Sequence, residues 1–223
     1  MQAGNDAIRS ATWFLLAATL AILVWSFINP HDRFTWLLEV LPFLIALPIL
    51  ALTARRFPLT PLVYTLIAIH ATILMVGGHY TYAEVPLGYW MKTVFGFSRN
   101  HYERIGHFAQ GFVPAMIARE LLIRRRVLNR RGWLPFLVVC FCLALSALYE
   151  EIEWLTAEAT GTAADAFLGT QGDPWDTNWD MFFALVGALT ALATLSRAHD
   201  GQIERLSGLP GLSGKPSERV QQL

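Results

Sequence analysis

The sequence predicts an all-α fold: a polytopic membrane helix bundle of six transmembrane helices, with both termini in the cytoplasm. The composition is the first observation, because 54% of the 223 residues are hydrophobic and only 15% are charged, whereas soluble domains carry about 25% charged residues. The second is that the apolar residues form blocks, and a membrane-crossing helix needs about 20 mainly apolar residues. The third is that Lys and Arg fall mostly on one side of these blocks.

Six apolar blocks follow one another along the chain, and each is predicted to form one transmembrane helix: residues 11–28, 34–52, 59–75, 102–123, 134–154 and 179–195. Pro42 and Pro48 are expected to bend the second helix, because proline removes a backbone hydrogen bond. His107, Gln110 and Pro114 interrupt the apolar character of the fourth block.

The segments between and after these blocks are of two kinds. Residues 77–100 form a connection that is rich in aromatic residues and too long for a structureless loop, which indicates a functional or interfacial segment. Beyond Arg197 the chain is polar and rich in Gly, Ser and Pro, which is typical of flexible segments. We therefore predict a six-helix transmembrane domain over residues 1–197 and a flexible cytoplasmic tail over residues 198–223.

The distribution of charge gives the predicted orientation. With six spans, 13 of the 17 Lys and Arg residues lie on the side of the two termini, and the positive-inside rule places that side in the cytoplasm. On or near the opposite, periplasmic side lie 12 of the 17 Asp and Glu residues. The net charge of zero and the lack of a basic face exclude a nucleic-acid partner.

Three predicted helix ends bring acids and an imidazole to the periplasmic side. Each group shares one helix face by its spacing of three or four residues: Glu103, His107 and Gln110; Glu150 and Glu153; and, if the chain is helical from Asp173 onward, Asp173, Asp176 and Asp180. Ionisable groups near a membrane core are costly and usually face a partner or a water-filled cavity. The alternative is a salt-bridged clamp in which Arg99 and Arg104 neutralise the acids. Two cations leave a surplus of negative charge, and that surplus favours a bound cation.

We therefore predict a divalent metal ion as the cofactor. The predicted ligands are His107, Glu150 and Asp180, with Asp173 and His101 as further ligands. Glu153 or Asp176 would act as general base or support the ligands. Oxygen and imidazole ligands suit Mg²⁺, Mn²⁺, Zn²⁺ or Fe alike, and the HExxH motif of zincins is absent.

The remaining histidines and aromatic residues have simpler interpretations. His31 and His199 are interpreted as loop residues, and whether His70 and His79 join the site is left open. Five aromatic residues are predicted to form an interfacial belt: Tyr80, Tyr82, Trp90, Trp175 and Trp179.

Three stretches resemble the YjdF-like family of bacterial inner-membrane proteins: RNHYERIGHFAQGFVPA (99–115), EEIEW (150–154) and FLGTQGDPWDTNWDM (167–181). The resemblance implies a multi-pass protein of the inner membrane. More distantly, the order of features resembles the VanZ-like family, which is linked to resistance against glycopeptide antibiotics. The residues that carry this likeness are Arg104, His107, Glu150 or Glu151, Asp180 and Gly187. Where the VanZ-like acid is typically followed by Gln, this chain has further acids and Trp154.

The leading hypothesis is a metal-dependent hydrolase or lipid-modifying enzyme that acts on a lipid or lipid-linked envelope precursor at the outer leaflet. A divalent ion can lower the pKa of its bound water to about 7 and so create a nucleophile. One alternative is a transporter or ion-binding permease that uses the same acids. Another is a non-enzymatic assembly or resistance protein held together by the acidic clamp. Membrane lipids are expected partners in each case, and the pattern leaves the oligomeric state open.

Overall fold

The computed structural model describes residues 2–161, 165–209 and 212, and every regular element in that part of the chain is a helix. The α-helices are α1 (Gln2–Phe27), α2 (Arg33–Thr53), α3 (Pro61–Tyr80), α4 (Pro86–Phe95), α5 (Tyr102–Arg124), α6 (Leu134–Thr160), α7 (Asp165–Leu168) and α8 (Asp176–Ser207). Two short 3-10 turns, Tyr82–Glu84 and Arg131–Trp133, precede α4 and α6. The predicted all-α class is therefore confirmed.

Within the described residues, five helices are long and apolar enough to cross a membrane: α1, α2, α3, α6 and α8. The predicted fourth span corresponds to α5, which is not among them because charged and polar residues lower its mean hydropathy. Yet α5 is the central helix of the bundle, since it packs most extensively against α8 and also against α3 and α6. Its charged residues Glu103, Arg104, Arg119 and Glu120 are buried there. The membrane-spanning bundle is supported, and the count of six spans stays a prediction.

α2 begins with a side-chain cap and continues through both of its prolines. Asp32 Oδ1 accepts a hydrogen bond from the backbone nitrogen of Thr35 at 2.7 Å, and this bond lowers the pKa of Asp32. Pro42 and Pro48 both lie inside the helix without ending it. The predicted bend at these prolines stays a prediction.

α5 and α8 approach closely because small residues face each other along both helices. In α8, Ala184, Gly187 and Ala188 are buried, and an added Cβ at Gly187 would stand 2.1 Å from the carbonyl oxygen of Phe108. Real Cβ atoms essentially never come that close to another heavy atom. The approach places the first turns of α5 beside the first turns of α8, at what we call the outer end of the bundle.

The aromatic-rich connection over residues 77–100 is mostly helical, because α3 continues into it and α4 follows. Trp90 and Phe95 of α4 are 57% and 62% exposed, as expected for a helix at a membrane surface. Tyr82, predicted for the same aromatic belt, is instead buried. Its ring occupies the space beside Gly77 and Gly106, where an added Cβ would collide with it. The prediction for Tyr82 was wrong because these glycines leave room for the ring inside the bundle.

α8 extends beyond the domain boundary predicted at residue 197. It continues to Ser207, and Ile203 in this extension is fully buried. His199, interpreted from the sequence as a loop residue, is also fully buried in α8, so that interpretation was wrong. Of the predicted tail after α8, only residues 208, 209 and 212 fall within the described part of the chain, and the other residues lie outside it.

Candidate functional site

Two buried arginines bind three aspartates at the outer ends of α5 and α8. Arg104 Nη1 donates to Asp180 Oδ1 at 2.5 Å, and its Nη2 donates to Asp176 Oδ1 at 2.5 Å. Arg99 Nη1 donates to the same Asp176 oxygen at 2.8 Å. Asp173 Oδ2 lies 3.4 Å from a nitrogen of each arginine. The interpretation as a salt-bridged clamp is therefore correct for these three aspartates.

The loop before α8 folds around Arg99. Arg99 donates hydrogen bonds to the carbonyl oxygens of Gly169 and Thr170, at 3.1 and 2.8 Å. Gln171 bonds twice to the backbone of Asn100, accepting from its nitrogen at 3.1 Å and donating to its oxygen at 2.8 Å. Gly169 and Gln171 have φ values of 58° and 47°, a region that glycine adopts without strain. The GTQGD sequence is thus explained by its role in holding Arg99 over the start of α5.

His107 lies one turn deeper along α5 than Glu103. Its Nδ1 lies 2.9 Å from Gln110 Oε1 and 3.7 Å from Glu150 Oε1. Its Nε2 lies 3.5 Å from Asp180 Oδ1. Glu103, His107 and Asp180 each offer one ligand atom, and these three atoms lie within 4.8 Å of one another. The structure therefore brings the predicted ligands His107, Glu150 and Asp180 together.

Glu103 is an addition to the predicted ligand set. The sequence placed it on the same stripe as His107 but did not select it as a ligand. Its Oε2 accepts a hydrogen bond from Arg99 Nη2 at 3.0 Å. The signal was the spacing of four residues between Glu103 and His107, which puts both side chains on one helix face.

Glu150 reaches the same cluster from α6. It is 8% exposed, and its Oε1 is buried without a hydrogen-bond partner in the described part of the chain. Leaving a buried acceptor unsatisfied costs about 1–3 kcal/mol. The adjacent Glu151 is exposed, so only one of these two neighbouring acids points into the bundle. This buried oxygen is therefore placed to accept a hydrogen bond or to bind a cation.

A cavity of about 470 Å³ lies beside this cluster, between α2, α3, α5 and α6. Its polar lining is formed by Glu39, His70, Tyr82, Glu103, His107, Gln110, Tyr149 and Glu153. Glu39 is 3% exposed and accepts a hydrogen bond from Tyr149 Oη at 3.3 Å. Glu39 is not among the site residues predicted from the sequence, although its position as a lone acid inside an apolar block could have indicated a buried polar site.

Carboxyl groups outnumber cationic groups around the clamp and the cavity. Six buried acids stand against the two arginines of the clamp: Glu39, Glu103, Glu150, Glu153, Asp176 and Asp180. An uncompensated charge in a protein interior costs several kcal/mol even after relaxation. Protons or a bound cation must therefore offset the excess of negative charge.

The structure separates three predicted site residues from the cluster of Glu103, His107 and Asp180. His101 and Asp173 line a different cavity of about 480 Å³, whose other walls are mostly aromatic and aliphatic. Burial and the nearby Arg99 and Arg104 lower the pKa of His101. Asp176 has one oxygen bound to both arginines, so it is not a free base.

Glu153 is the better placed of the two candidate bases. It is 7% exposed and lines the 470 Å³ cavity. None of the hydrogen bonds or ion pairs within the described residues involves its carboxylate.

A second buried polar cluster, which the sequence did not predict, joins α3, α5 and α8 at the inner end of the bundle. Glu120 Oε2 accepts from Thr60 Oγ1 at 2.8 Å and lies 3.0 Å from His199 Nε2. Arg119 Nη1 lies 3.3 Å from His199 Nδ1, and its Nη2 donates to Asp200 at 2.6 Å. Because arginine can only donate, Nδ1 of His199 is the acceptor and Nε2 carries the proton. Each of these charged side chains has a hydrogen-bond or ion-pair partner, as expected of a cluster that stabilises the packing of the helices.

Comparison with known proteins gives one family and one curated relative. Residues 11–201 match the family described as "Predicted membrane protein (DUF2238)". The chain is 54% identical over 190 residues to a protein named "Inner membrane protein YjdF" from Escherichia coli (strain K12), covering 85% of this chain and 91% of that protein. No solved structure matches the chain. These matches lend no support to the more distant VanZ-like resemblance.

Proposed function

Since the chain belongs to the DUF2238 family of predicted membrane proteins, we propose that it is an inner-membrane protein that binds a divalent metal ion at the outer end of the bundle. We propose further that it uses this ion to act on a lipid or lipid-linked envelope precursor. The YjdF-like resemblance is confirmed by the family match and by the relative. Neither of them names a reaction, so the proposal rests on the geometry of the site.

The proposed topology has six spans, with α5 as the additional crossing. α5 is surrounded by other helices, so its buried charges need not contact lipid, and polar residues that face a bundle interior are tolerated in membranes. The charge asymmetry of 13 of 17 Lys and Arg residues favours cytoplasmic termini. In that orientation the outer end, with its acids, faces the periplasm.

The observation that carries the proposal is the position of Glu150 beside the three clustered ligand atoms. Glu103, His107 and Asp180 supply two oxygens and one nitrogen within 4.8 Å. Glu150 adds a buried oxygen that has no hydrogen-bond partner among the described residues and lies 3.7 Å from His107 Nδ1. A divalent cation among these groups would satisfy that oxygen and offset part of the excess negative charge.

The chemistry follows from the cavity beside the ligands. A bound divalent ion would polarise a phosphoryl or carbonyl oxygen and activate a water molecule. Glu153 faces the cavity with no hydrogen bond or ion pair to any other described residue, and it would accept the proton of that water. The mainly apolar remainder of the cavity suits the chain of a lipid rather than a fully polar substrate.

Metal analysis of the purified protein tests the proposal. We expect about one equivalent of a divalent metal in the wild type, and much less in His107→Gln and Asp180→Asn. His70→Gln is the matched control, because His70 also lines the cavity but lies outside the cluster of ligand atoms. A wild type that holds no stoichiometric metal would overturn the proposal.

A transporter is the second candidate, and the position of His70 favours it. His70 lines both the outer cavity and a deeper, otherwise apolar cavity of about 330 Å³ that reaches Leu59. Its Nε2 is buried without a hydrogen-bond partner in the described residues. Uptake into proteoliposomes that depends on pH and on Glu150, without turnover of a lipid, would favour this function over the enzyme.

A further inference from the structure

The outer cavity is open toward the membrane between α2 and α6. Leu41 and Ile45 of α2 and Leu148 and Ile152 of α6 line it. These four side chains are between 38% and 56% exposed, so they also face the surroundings of the bundle. α2 packs against α3, and α6 packs against α5 and α8. α2 and α6 do not pack closely against each other along their described lengths, which leaves a lateral opening.

The lining of the cavity changes from polar to apolar along the direction of the helices. Glu39 lies nearer the outer end of α2, and Ile45 lies about 9 Å deeper, at 1.5 Å per residue. On α6, Glu153 lies near the outer end and Leu145 lies deeper. On α5, the polar His107 lies nearer the outer end and the apolar Pro114 lies deeper. A lipid of the outer leaflet has this polarity, with its headgroup outward and its chains toward the centre of the membrane.

The polar end of the cavity is acidic. Glu39, Glu103 and Glu153 line it, and the described lining residues include no Lys or Arg. Glu153 is 7% exposed, faces the cavity, and has no hydrogen bond or ion pair within the described part of the chain. Glu39 accepts a hydrogen bond from Tyr149 Oη at 3.3 Å and also lies within hydrogen-bonding reach of Tyr82, and neither of these partners carries a positive charge. Such a lining attracts a group that is positively charged and donates hydrogen bonds, and it repels a bare anion.

We infer that the substrate is a zwitterionic membrane lipid with an ammonium group, which enters sideways between α2 and α6. Its ammonium group lies between Glu39 and Glu153, and its chain leaves along Ile45 and Leu148. Its phosphate then lies on the side of His107, where the proposed metal ion would bind it. The inference rests on the proposed function for that last contact, because it names the substrate of the same site. The lateral opening and the ammonium contact do not depend on the metal.

Photo-crosslinking in lipid nanodiscs tests the inference. A benzoylphenylalanine probe is placed at Leu148, and at Leu155 as the matched control. Leu155 is 55% exposed on the same helix, but it does not line the cavity. The nanodiscs contain equal amounts of phosphatidylethanolamine and phosphatidylglycerol, and mass spectrometry identifies the adducts. We expect phosphatidylethanolamine to be enriched several-fold at Leu148, whereas adducts at Leu155 follow the bulk composition.

Second-site variants locate the bound lipid. Ile45→Trp should reduce the enrichment at the Leu148 probe by narrowing the opening, whereas Leu37→Trp, on an exposed part of α2 outside the cavity, should leave it unchanged. Glu153→Gln should reduce the enrichment while the protein elutes as the wild type in size-exclusion chromatography. The inference would be overturned if the adducts at both probes had the lipid composition of the bulk nanodisc. It would also be overturned if phosphatidylglycerol were enriched among the adducts at Leu148.

The metal and the lipid are measured separately, so the two proposals can fail independently. The crosslinking is repeated after treatment with a chelator. Enrichment that survives in a protein without stoichiometric metal would support the lipid site and remove the metal-dependent function. Stoichiometric metal without enrichment would leave the proposed function standing and remove the lipid assignment.

Discussion

Gly111 of α5 lies directly against Ala184 of α8: an added Cβ at Gly111 would stand 1.8 Å from the carbonyl oxygen of Ala184. The neighbour is backbone, which cannot turn aside as a flexible side chain can. Gly111 lies one turn along α5 from His107, and Ala184 lies one turn along α8 from Asp180. The backbone contact between the two helices therefore fixes the 3.5 Å separation between His107 Nε2 and Asp180 Oδ1.

Gly111→Ala is expected to destabilise the protein because α5 and α8 must move apart. Overpacking in a close-packed interior lowers stability by about 1–3 kcal/mol. Because the neighbour here is backbone, we expect Gly111→Ala to lie at the upper end of that range. Gly201→Ala in α8 is the control, since an added Cβ there meets nothing within 4 Å. Alanine in place of glycine inside a helix gains about 0.5–1 kcal/mol. Thermal unfolding in detergent measures both variants, and equal melting temperatures would contradict the assigned role of Gly111.

Arg104→Lys should destabilise the outer end although the charge is kept. The guanidinium group contacts Asp173, Asp176 and Asp180 through two nitrogens, and the single ammonium nitrogen of lysine cannot reproduce this fork. Breaking a buried ion pair lowers the free energy of unfolding by about 3–5 kcal/mol. We expect Arg104→Lys to lower it by an amount that approaches this range.

The control for Arg104→Lys is Arg130→Lys at an exposed position, where surface substitutions change stability by about 0.5 kcal/mol or less. Chemical denaturation of both variants in the same detergent compares them. Similar losses would mean that the clamp contributes little to stability.

The sequence predicted the outer cluster because covalent spacing along a helix fixes which side chains share a face. The offsets from Glu103 to His107 and from Asp176 to Asp180 are properties of one helix, and charge asymmetry added that these helix ends lie on one side. Glu39 and Tyr82 were missed as site residues because their roles depend on contacts between helices. The space that admits the Tyr82 ring exists only where Gly77 and Gly106 come together.

The inner cluster was missed for a related reason. Glu120 and His199 are 79 residues apart in sequence, and their contact depends on the close packing of α5 and α8. The polar composition after Arg197 suggested a flexible segment, but a helix that packs on one side can be polar on the other. Buried Ile203 and His199 mark the packed side of this extension.

His199→Leu should destabilise the inner end of the bundle. The variant leaves Glu120 Oε2 with one donor fewer and Arg119 Nη1 without its acceptor, and unsatisfied buried polar groups cost about 1–3 kcal/mol each. His31→Leu is the matched control at an exposed position. Thermal unfolding should show a large loss for His199→Leu only, while the metal content of the outer site stays that of the wild type. Loss of metal in His199→Leu would contradict the separation of the two clusters.

His101 should make stability fall on acidification. Burial, with Arg99 and Arg104, lowers its pKa in the folded state below the ordinary value of 6.5, so the unfolded chain binds the proton more readily. The contribution of His101 to the free energy of unfolding is therefore fully present above the pKa that this histidine has in the unfolded chain. It is lost as the pH falls below that value. Between about pH 7.5 and about pH 5, the wild type should lose more stability than His101→Gln. A parallel pH dependence of the two melting temperatures would contradict this.

Glu150→Gln and Glu151→Gln form an adjacent pair that separates a metal ligand from a surface charge. Each substitution removes one negative charge from the same turn of α6, so long-range electrostatic effects are nearly equal. Of the two, Glu150 is buried, and its Oε1 lies 3.7 Å from His107 Nδ1 without a hydrogen-bond partner in the part of the chain that the structure describes. Glu151 is exposed. Because an amide oxygen is a weaker ligand than a carboxylate, Glu150→Gln should lower metal affinity by roughly tenfold or more. Titration of metal-free protein with Zn²⁺ and with Mn²⁺ measures this, and equal affinities in the two variants would remove Glu150 from the site.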